Sequence, residues 1–114
     1  MKSLGDFKRG DTFAFYANLK NKSTGDPITV GAEFVNSQVR SPQGKIYASL
    51  LVSKNSLVEG QYLFQASSEV TKTWPASVNG VELHIDIEFI VDGITSSTET
   101  FNVIVKQDVT KEVV

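Results

Sequence analysis

Three side chains capable of proton transfer or metal binding alternate along residues 84–89, HIDIEF. They are His84, which is the only histidine, and the two carboxylates Asp86 and Glu88. If this stretch is a β-strand, its rise of ~3.3 Å per residue separates the outer two Cα atoms by about 13 Å. Ligand bonds of ~2.0–2.6 Å do not allow all three side chains to reach one ion. The alternation therefore favours the solvent-facing side of a strand over a metal site.

Other reaction centres find no support in the sequence. A serine hydrolase built on His84 would need an activated serine, and no G-x-S-x-G motif is present. Asp86 and Glu88 project the same way from one strand, whereas glycoside hydrolysis needs two carboxyl groups that face each other across a cleft. Phosphate-binding glycine loops and calcium-binding loops are also missing. We predict no catalytic residues, no metal and no cofactor.

Trp74, the only tryptophan, is followed by Pro75 in a stretch without periodicity. A lone tryptophan in a β-rich protein is most often a core residue, which is the interpretation we favour. Its position in a loop leaves a second interpretation open, an aromatic contact for a partner protein or a sugar ring. Arg40, at a strand end, is expected to be a surface charge or part of an ion pair. The candidate partner or glycan contacts are Trp74, Pro75, Arg40 and Asp86.

Composition restricts the remaining possibilities. A chain of 114 residues is the size of one domain, and we expect a single domain over 1–114, with 107–114 a loose tail. The net charge of -2 and the scattered basic residues disfavour nucleic acid and anionic membranes as partners. No cysteine is present, so disulfides and thiolate chemistry are excluded. The first residues do not form a secretory hydrophobic region, and no apolar run is long enough for a membrane helix. We expect a protein made and kept in a cytoplasm, unless a larger particle carries it out.

Period-two alternation of apolar side chains recurs along almost the whole chain and predicts strands. The segment 67–80 lacks it and is expected to connect two sheets. No 3.6-residue period indicates a secure helix. The predicted strands lie near residues 12–19, 28–30, 33–40, 45–53, 61–66, 81–91 and 94–105.

Seven or eight short strands without crossover helices fit an immunoglobulin-like antiparallel β-sandwich, since parallel strands would need such helices. A small closed β-barrel is the alternative, because the number of strands does not separate the two. For the last hairpin we predict a three-residue loop, 91–93, that pairs Ile90 with Ile94 and Leu83 with Phe101. That register places apolar side chains opposite one another. A one-residue shift would instead exchange the side chains that face the core with those that face solvent.

Several short stretches, in order along nearly the whole chain, resemble a family of small proteins encoded among the tail and structural genes of tailed bacteriophages and prophages. The similar stretches are RGDTF (9–13), QVR (38–40) followed by Gly44, GQY (60–62), TWP (73–75), DIEF (86–89), TET (98–100) and Asp108-Val109-Thr110. The resemblance implies an immunoglobulin-like sandwich that serves as a virion or tail-associated structural module. It implies no catalytic residues.

The leading hypothesis is therefore a non-enzymatic structural or assembly protein of a phage or prophage particle. Its expected partners are other phage structural proteins, with self-association possible, and it would pass from the bacterial host cytoplasm into the tail region of the virion. Unpaired strand edges could make such contacts, and Thr95–Thr100 and Ile28–Val30 are the candidates. The alternative is a carbohydrate-binding β-sandwich that uses Trp74.

Overall fold

The computed structural model describes residues 1–107. Those residues form nine strands, one short helix and one 3-10 turn, Ala32–Phe34. The tail predicted for 107–114 and the stretch Asp108-Val109-Thr110 lie outside the described residues, apart from residue 107. The strands are β1 Lys2–Lys8, β2 Phe13–Asn18, β3 Val35–Arg40, β4 Ile46–Ser49, β5 Leu51–Lys54, β6 Gln61–Ala66, β7 Val81–Val91, β8 Ile94–Ser97 and β9 Phe101–Lys106, and the helix α1 is Ser68–Thr71.

The strands form two open sheets, which confirms the predicted sandwich over the closed barrel. The large sheet has the order β1-β9-β7-β3-β4, with β8 paired to β7 beyond this path. The small sheet has the order β2-β6-β5. All pairs are antiparallel except β1 with β9, which run parallel. The small sheet β2-β6-β5 corresponds to strands B, E and D of immunoglobulin-like sandwiches, and β3, β7 and β9 correspond to strands C, F and G. The first strand differs, because β1 pairs with β9 of the large sheet.

One apolar core fills the space between the sheets. The alternating residues Leu83, Ile85 and Ile87 of β7 are fully buried, and Tyr62 and Phe64 of β6 face them from the small sheet. Alternation puts every second side chain of a strand on the same side, so these residues leave their neighbours on the outer surfaces. The fold therefore presents two separate outer faces, one on each sheet.

The last hairpin differs from the prediction. Val91 pairs with Ile94, so the turn has two residues, Asp92 and Gly93. Both have positive φ, 51° and 78°, as a type I′ turn requires. One extra residue is inserted later in the hairpin. Ile90 pairs with Thr95, so a regular ladder would pair Ile85 with Thr100, but Ile85 pairs with Phe101. The chain irregularity thus falls between β8 and β9, at residues 98–100.

The prediction was wrong because it treated residues 94–105 as one uninterrupted strand, in which only a bulge at the turn could align the faces. In the structure β8 is entirely exposed at the end of the sheet. Because β8 is exposed, pairing the apolar Phe89 with the polar Ser96 costs little free energy at this position. Past the irregularity, apolar residues oppose one another, with Leu83 against Val103.

Two further strand predictions are corrected. Residues 45–53 were expected to form one strand, but the chain breaks at Leu50 and passes from the large sheet (β4) to the small sheet (β5). Ile28–Val30 is not a strand. Instead, the Tyr62 hydroxyl lies 3.1 Å from the Ile28 carbonyl oxygen and 2.5 Å from that of Val30, which holds this segment across the core. Burial raises the pKa of the Tyr62 phenol.

The connection 67–80 joins β6 of the small sheet to β7 of the large one, as predicted. It contains the short helix α1, which the sequence pattern did not indicate. Thr71 at its end is fully buried. The Thr71 hydroxyl donates to the Asp11 carbonyl oxygen, 2.7 Å away, and accepts from the Gly10 N–H at 3.1 Å. These bonds fix the connection to the turn between β1 and β2.

Candidate functional site

The three polar residues of the HIDIEF stretch, His84, Asp86 and Glu88, lie on the outer side of β7, as the alternation predicts. They do not converge on one point. His84 contacts Glu82, with 2.7 Å between Nε2 and Oε2, while Asp86 interacts with other residues. The His84 side chain is 22% exposed, so it is less hydrated than a strand residue on an open face. Within residues 1–107, no three His, Asp or Glu side chains are grouped as a metal site would require.

Asp86 and Arg40 form an ion pair between adjacent strands. Gln38 of β3 lies directly opposite Asp86 of β7, and Arg40 lies opposite His84, so the Arg40 side chain reaches Asp86 diagonally. Asp86 Oδ1 also accepts a hydrogen bond from the Thr100 hydroxyl, at 2.7 Å. The carboxylate is therefore held by two partners, which makes it a structural link across the large sheet.

A polar groove of about 540 Å³ surrounds this ion pair on the outer face of the large sheet. Its charged side chains are Arg40, Asp86 and Glu88, and its remaining walls are mostly amide and hydroxyl groups. Of the four candidate contacts predicted from sequence, the structure brings Arg40 and Asp86 together here. The groove offers hydrogen bonds to a polar ligand. The neutral residues lining it are Asn36, Ser37, Gln38, Ser49, Leu50, Ser97, Thr98 and Thr100.

Trp74 is a core residue, which confirms the interpretation we favoured. Its side chain is 1% exposed and packs against Phe7 and Phe13, with ring centroids 5.7 and 5.4 Å away. The indole Nε1 is buried and has no hydrogen-bond partner among residues 1–107. Pro75 is half-buried beside it. The indole ring therefore offers no face to a sugar, and neither residue adjoins the polar groove.

The outer side of the small sheet is a surface that sequence reasoning missed. We call it the uncharged face. Outward positions of β2 and β6 alternate with buried ones, and β5 continues the same rows. Tyr16 lies opposite Leu63, which lies opposite Ser53, and Tyr16 and Leu51 are 59% and 69% exposed. The residues of the uncharged face are Ala14, Tyr16, Asn18, Leu51, Ser53, Gln61, Leu63 and Gln65, with the adjoining Asn55.

One end of the uncharged face is a row of three amides. Gln61 Nε2 donates to Asn18 Oδ1 at 3.3 Å, and Asn55 Nδ2 donates to Gln61 Oε1 at 2.6 Å. The one lysine of β5, Lys54, turns away and donates to the Thr29 carbonyl oxygen at 2.8 Å. The sequence contains the pattern that indicates this uncharged face, because the outward positions of 13–18 and 61–66 include no charged residue.

The two outer faces therefore differ in chemistry. The large sheet presents Glu82, Asp86 and Glu88 together with Arg40. The small sheet presents hydroxyl, amide and apolar groups. Charged residues are depleted at the centres of protein–protein interfaces, so the uncharged face has the composition of a contact surface.

Comparison with models of known protein families finds no match, and comparison with curated protein sequences finds no significant similarity. Neither of the helical segments within residues 1–107 has the length and hydrophobicity needed to cross a bilayer.

Proposed function

We propose that this chain is a non-enzymatic structural or assembly protein of a phage or prophage particle, associated with the tail, that acts through protein–protein contacts. The observation that carries the proposal is the uncharged face. Burying it in an interface would remove apolar groups from water without stranding a charge.

Two further features support this proposal. The ordered resemblance to phage tail and structural proteins is the support for naming a phage or prophage particle. In addition, the groups best suited to acid–base chemistry are engaged with one another, His84 with Glu82 and Asp86 with Arg40. On this proposal the chain is made in the cytoplasm of the bacterial host and then enters the virion.

A matched pair of variants tests the use of the uncharged face. Gln65 lies on this face and Gln38 lies in the polar groove, on outward positions of opposite sheets. We expect Gln65→Lys to lose capture of the neighbouring tail proteins in a pulldown, because the added charge would be buried in the interface. Gln38→Lys should retain it.

Particle composition provides the second test. Mass spectrometry of purified particles should detect the chain at a constant copy number. If the chain is missing from the particles and captures no virion protein, the proposal is wrong. If both lysine variants lose binding equally, the contact does not use the uncharged face.

A carbohydrate-binding module is the second candidate, and the polar groove is the observation that favours it. Arg40 and Asp86 there could bind sugar hydroxyls. The buried Trp74 cannot serve as the stacking platform on which the sequence hypothesis depended. A glycan array decides the matter: binding that is lost in both Gln38→Ala and Arg40→Ala would support this candidate, and an array without binding would dismiss it.

A further inference from the structure

The strand β2 is an edge without protection. Within residues 1–107 it lies at one end of the small sheet and pairs only with β6, through six consecutive residue pairs without a register shift. Its sequence, FAFYAN, contains no charge, proline or glycine. Proteins usually block such edges with lysines, prolines, bulges or very short strands, because an open edge can pair with another chain.

The other edges within residues 1–107 do carry such protection. β1 begins and ends with lysine and has an irregularity between Ser3 and Asp6. β4, β5 and β8 have only four residues each, and β5 ends with Lys54. β2 is thus the long, regular and uncharged edge of the described fold.

The hydrogen-bonding groups at this edge can be assigned from the ladder. The Leu19 N–H donates to the Gly60 carbonyl oxygen at 2.8 Å, on the β6 side. Because main-chain groups alternate between the two edges of a strand, Phe13, Phe15 and Ala17 also direct theirs toward β6. The N–H and C=O groups of Ala14, Tyr16 and Asn18 therefore face the open edge.

We propose that the chain forms a two-fold symmetric dimer in which β2 pairs antiparallel with β2 of a second copy. Opposed residues must lie on the same face of the joined sheet, which requires registers that pair even-numbered with even-numbered residues. The register centred on Tyr16 pairs Tyr16 with its own copy and Ala14 with Asn18. The two-fold axis makes the Ala14–Asn18 pair occur twice, so there are three pairs in all, and each would exchange two main-chain hydrogen bonds, about six in total.

A second copy suits this edge better than a charged partner. The two-fold operation brings each residue near its own copy, and the strand and the face beside it have no charge to repel itself. The two small sheets would join into one sheet of six strands, with the uncharged face continuous across the axis and the two Tyr16 rings side by side. Cross-strand aromatic pairs of this kind are favourable.

This inference rests on the proposed function in that it names one partner of an assembly protein, but the two can fail separately. A dimer missing from phage particles would refute the proposed function and leave the dimer standing. A monomer that enters particles would do the reverse.

Light scattering after size-exclusion chromatography tests the dimer. The wild-type chain should elute with twice its mass of 12.5 kDa. Tyr16→Lys should be monomeric, because two lysines would meet on the axis. Ser53→Lys should remain dimeric, since Ser53 lies on the uncharged face but on β5, away from the edge. Far-UV circular dichroism confirms that each variant folds.

A second experiment does not depend on disrupting the edge. The chain has no cysteine, so a single introduced thiol can crosslink only between copies. A short bismaleimide should join two copies of Tyr16→Cys rapidly and leave Ser53→Cys mostly uncrosslinked. The proposal is overturned by a monomeric wild type, by a Tyr16→Lys dimer, by a larger ring, or by equal crosslinking at both positions.

Discussion

Two glycines with the same backbone conformation allow the effect of crowding on stability to be separated from the effect of backbone strain. Gly80 and Gly44 have φ of 102° and 101°, a region that residues with a Cβ rarely adopt. A Cβ at Gly44 would meet no atom within 4 Å. A Cβ at Gly80 would overlap the Cγ2 methyl of Ile104 on β9. Replacing each glycine by alanine therefore adds strain in both cases and a clash in one.

The expected magnitudes follow from these contacts. Positive φ costs alanine about 1–2 kcal/mol, and the stiffer unfolded chain returns ~0.4–1 kcal/mol, so Gly44→Ala should lose about 1 kcal/mol of unfolding free energy. Gly80→Ala adds an overpacking cost of ~1–3 kcal/mol and should lose about 2–4 kcal/mol in total. Trimming the crowding side chain with Ile104→Ala should recover ~1–2 kcal/mol of this loss as a coupling energy.

Urea denaturation followed by Trp74 fluorescence measures these differences, because the only tryptophan is buried in the core and becomes exposed on unfolding. The cycle needs the wild type, Gly80→Ala, Ile104→Ala and the double variant, with Gly44→Ala as the strain control. Equal losses at the two glycines, or additive effects of Gly80→Ala and Ile104→Ala, would show that the loop before β7 does not pack on β9 as described.

Three further predictions use the same denaturation assay. Tyr62→Phe should be less stable at neutral pH by about 1 kcal/mol through its lost hydrogen bond. Burial raises the pKa of Tyr62, so its contribution is full below the unfolded value of ~10 and is lost as pH rises through the folded pKa. The gap between the two proteins should therefore narrow above pH ~10, and a constant gap would contradict this. Thr71→Val should lower the unfolding free energy by about 2 kcal/mol, because the Asp11 carbonyl and the Gly10 N–H lose their partner. Thr71→Ser keeps the hydroxyl and should lower it by ~1 kcal/mol or less. Similar losses for the two variants would show that the hydroxyl does not matter. Asp86→Asn should lower the unfolding free energy by up to about 1 kcal/mol, because its ion pair with Arg40 is partly exposed. Salt at ~1 M should reduce the stability difference between this variant and the wild type. A difference independent of salt would assign the effect to the hydrogen bond from Thr100 alone.

The alternation of side chains predicted which residues face the core. Leu83, Ile85 and Ile87 are buried, and His84 and Asp86 lie on the outer side between them. The same alternation in β2 and β6 also specifies the uncharged face. The alternation within one strand predicts burial reliably, because successive side chains point to opposite faces and burying the apolar ones is favourable wherever the strand lies in the sheet.

Pairing and register were predicted less well. The hairpin loop, the break at Leu50 and the path of Ile28–Val30 all depend on contacts between distant parts of the chain. Asp92-Gly93 is itself a strong signal for a two-residue type I′ turn. In an uninterrupted hairpin this turn would place apolar side chains opposite polar ones, and the irregularity that realigns the faces lies several residues later, between β8 and β9.

The sequence by itself therefore determined the class of fold, which side chains of one strand share a face, and the absence of cysteine chemistry, because these follow from residue types and from a period of two that is local to each strand. Only the tertiary structure decided that Trp74 is enclosed by Phe7 and Phe13, that Arg40 meets Asp86, and that β2 is left at an open edge. Each of these depends on which strands become neighbours. The free energy that selects neighbours comes from the packing of the whole core, and no short segment contains it.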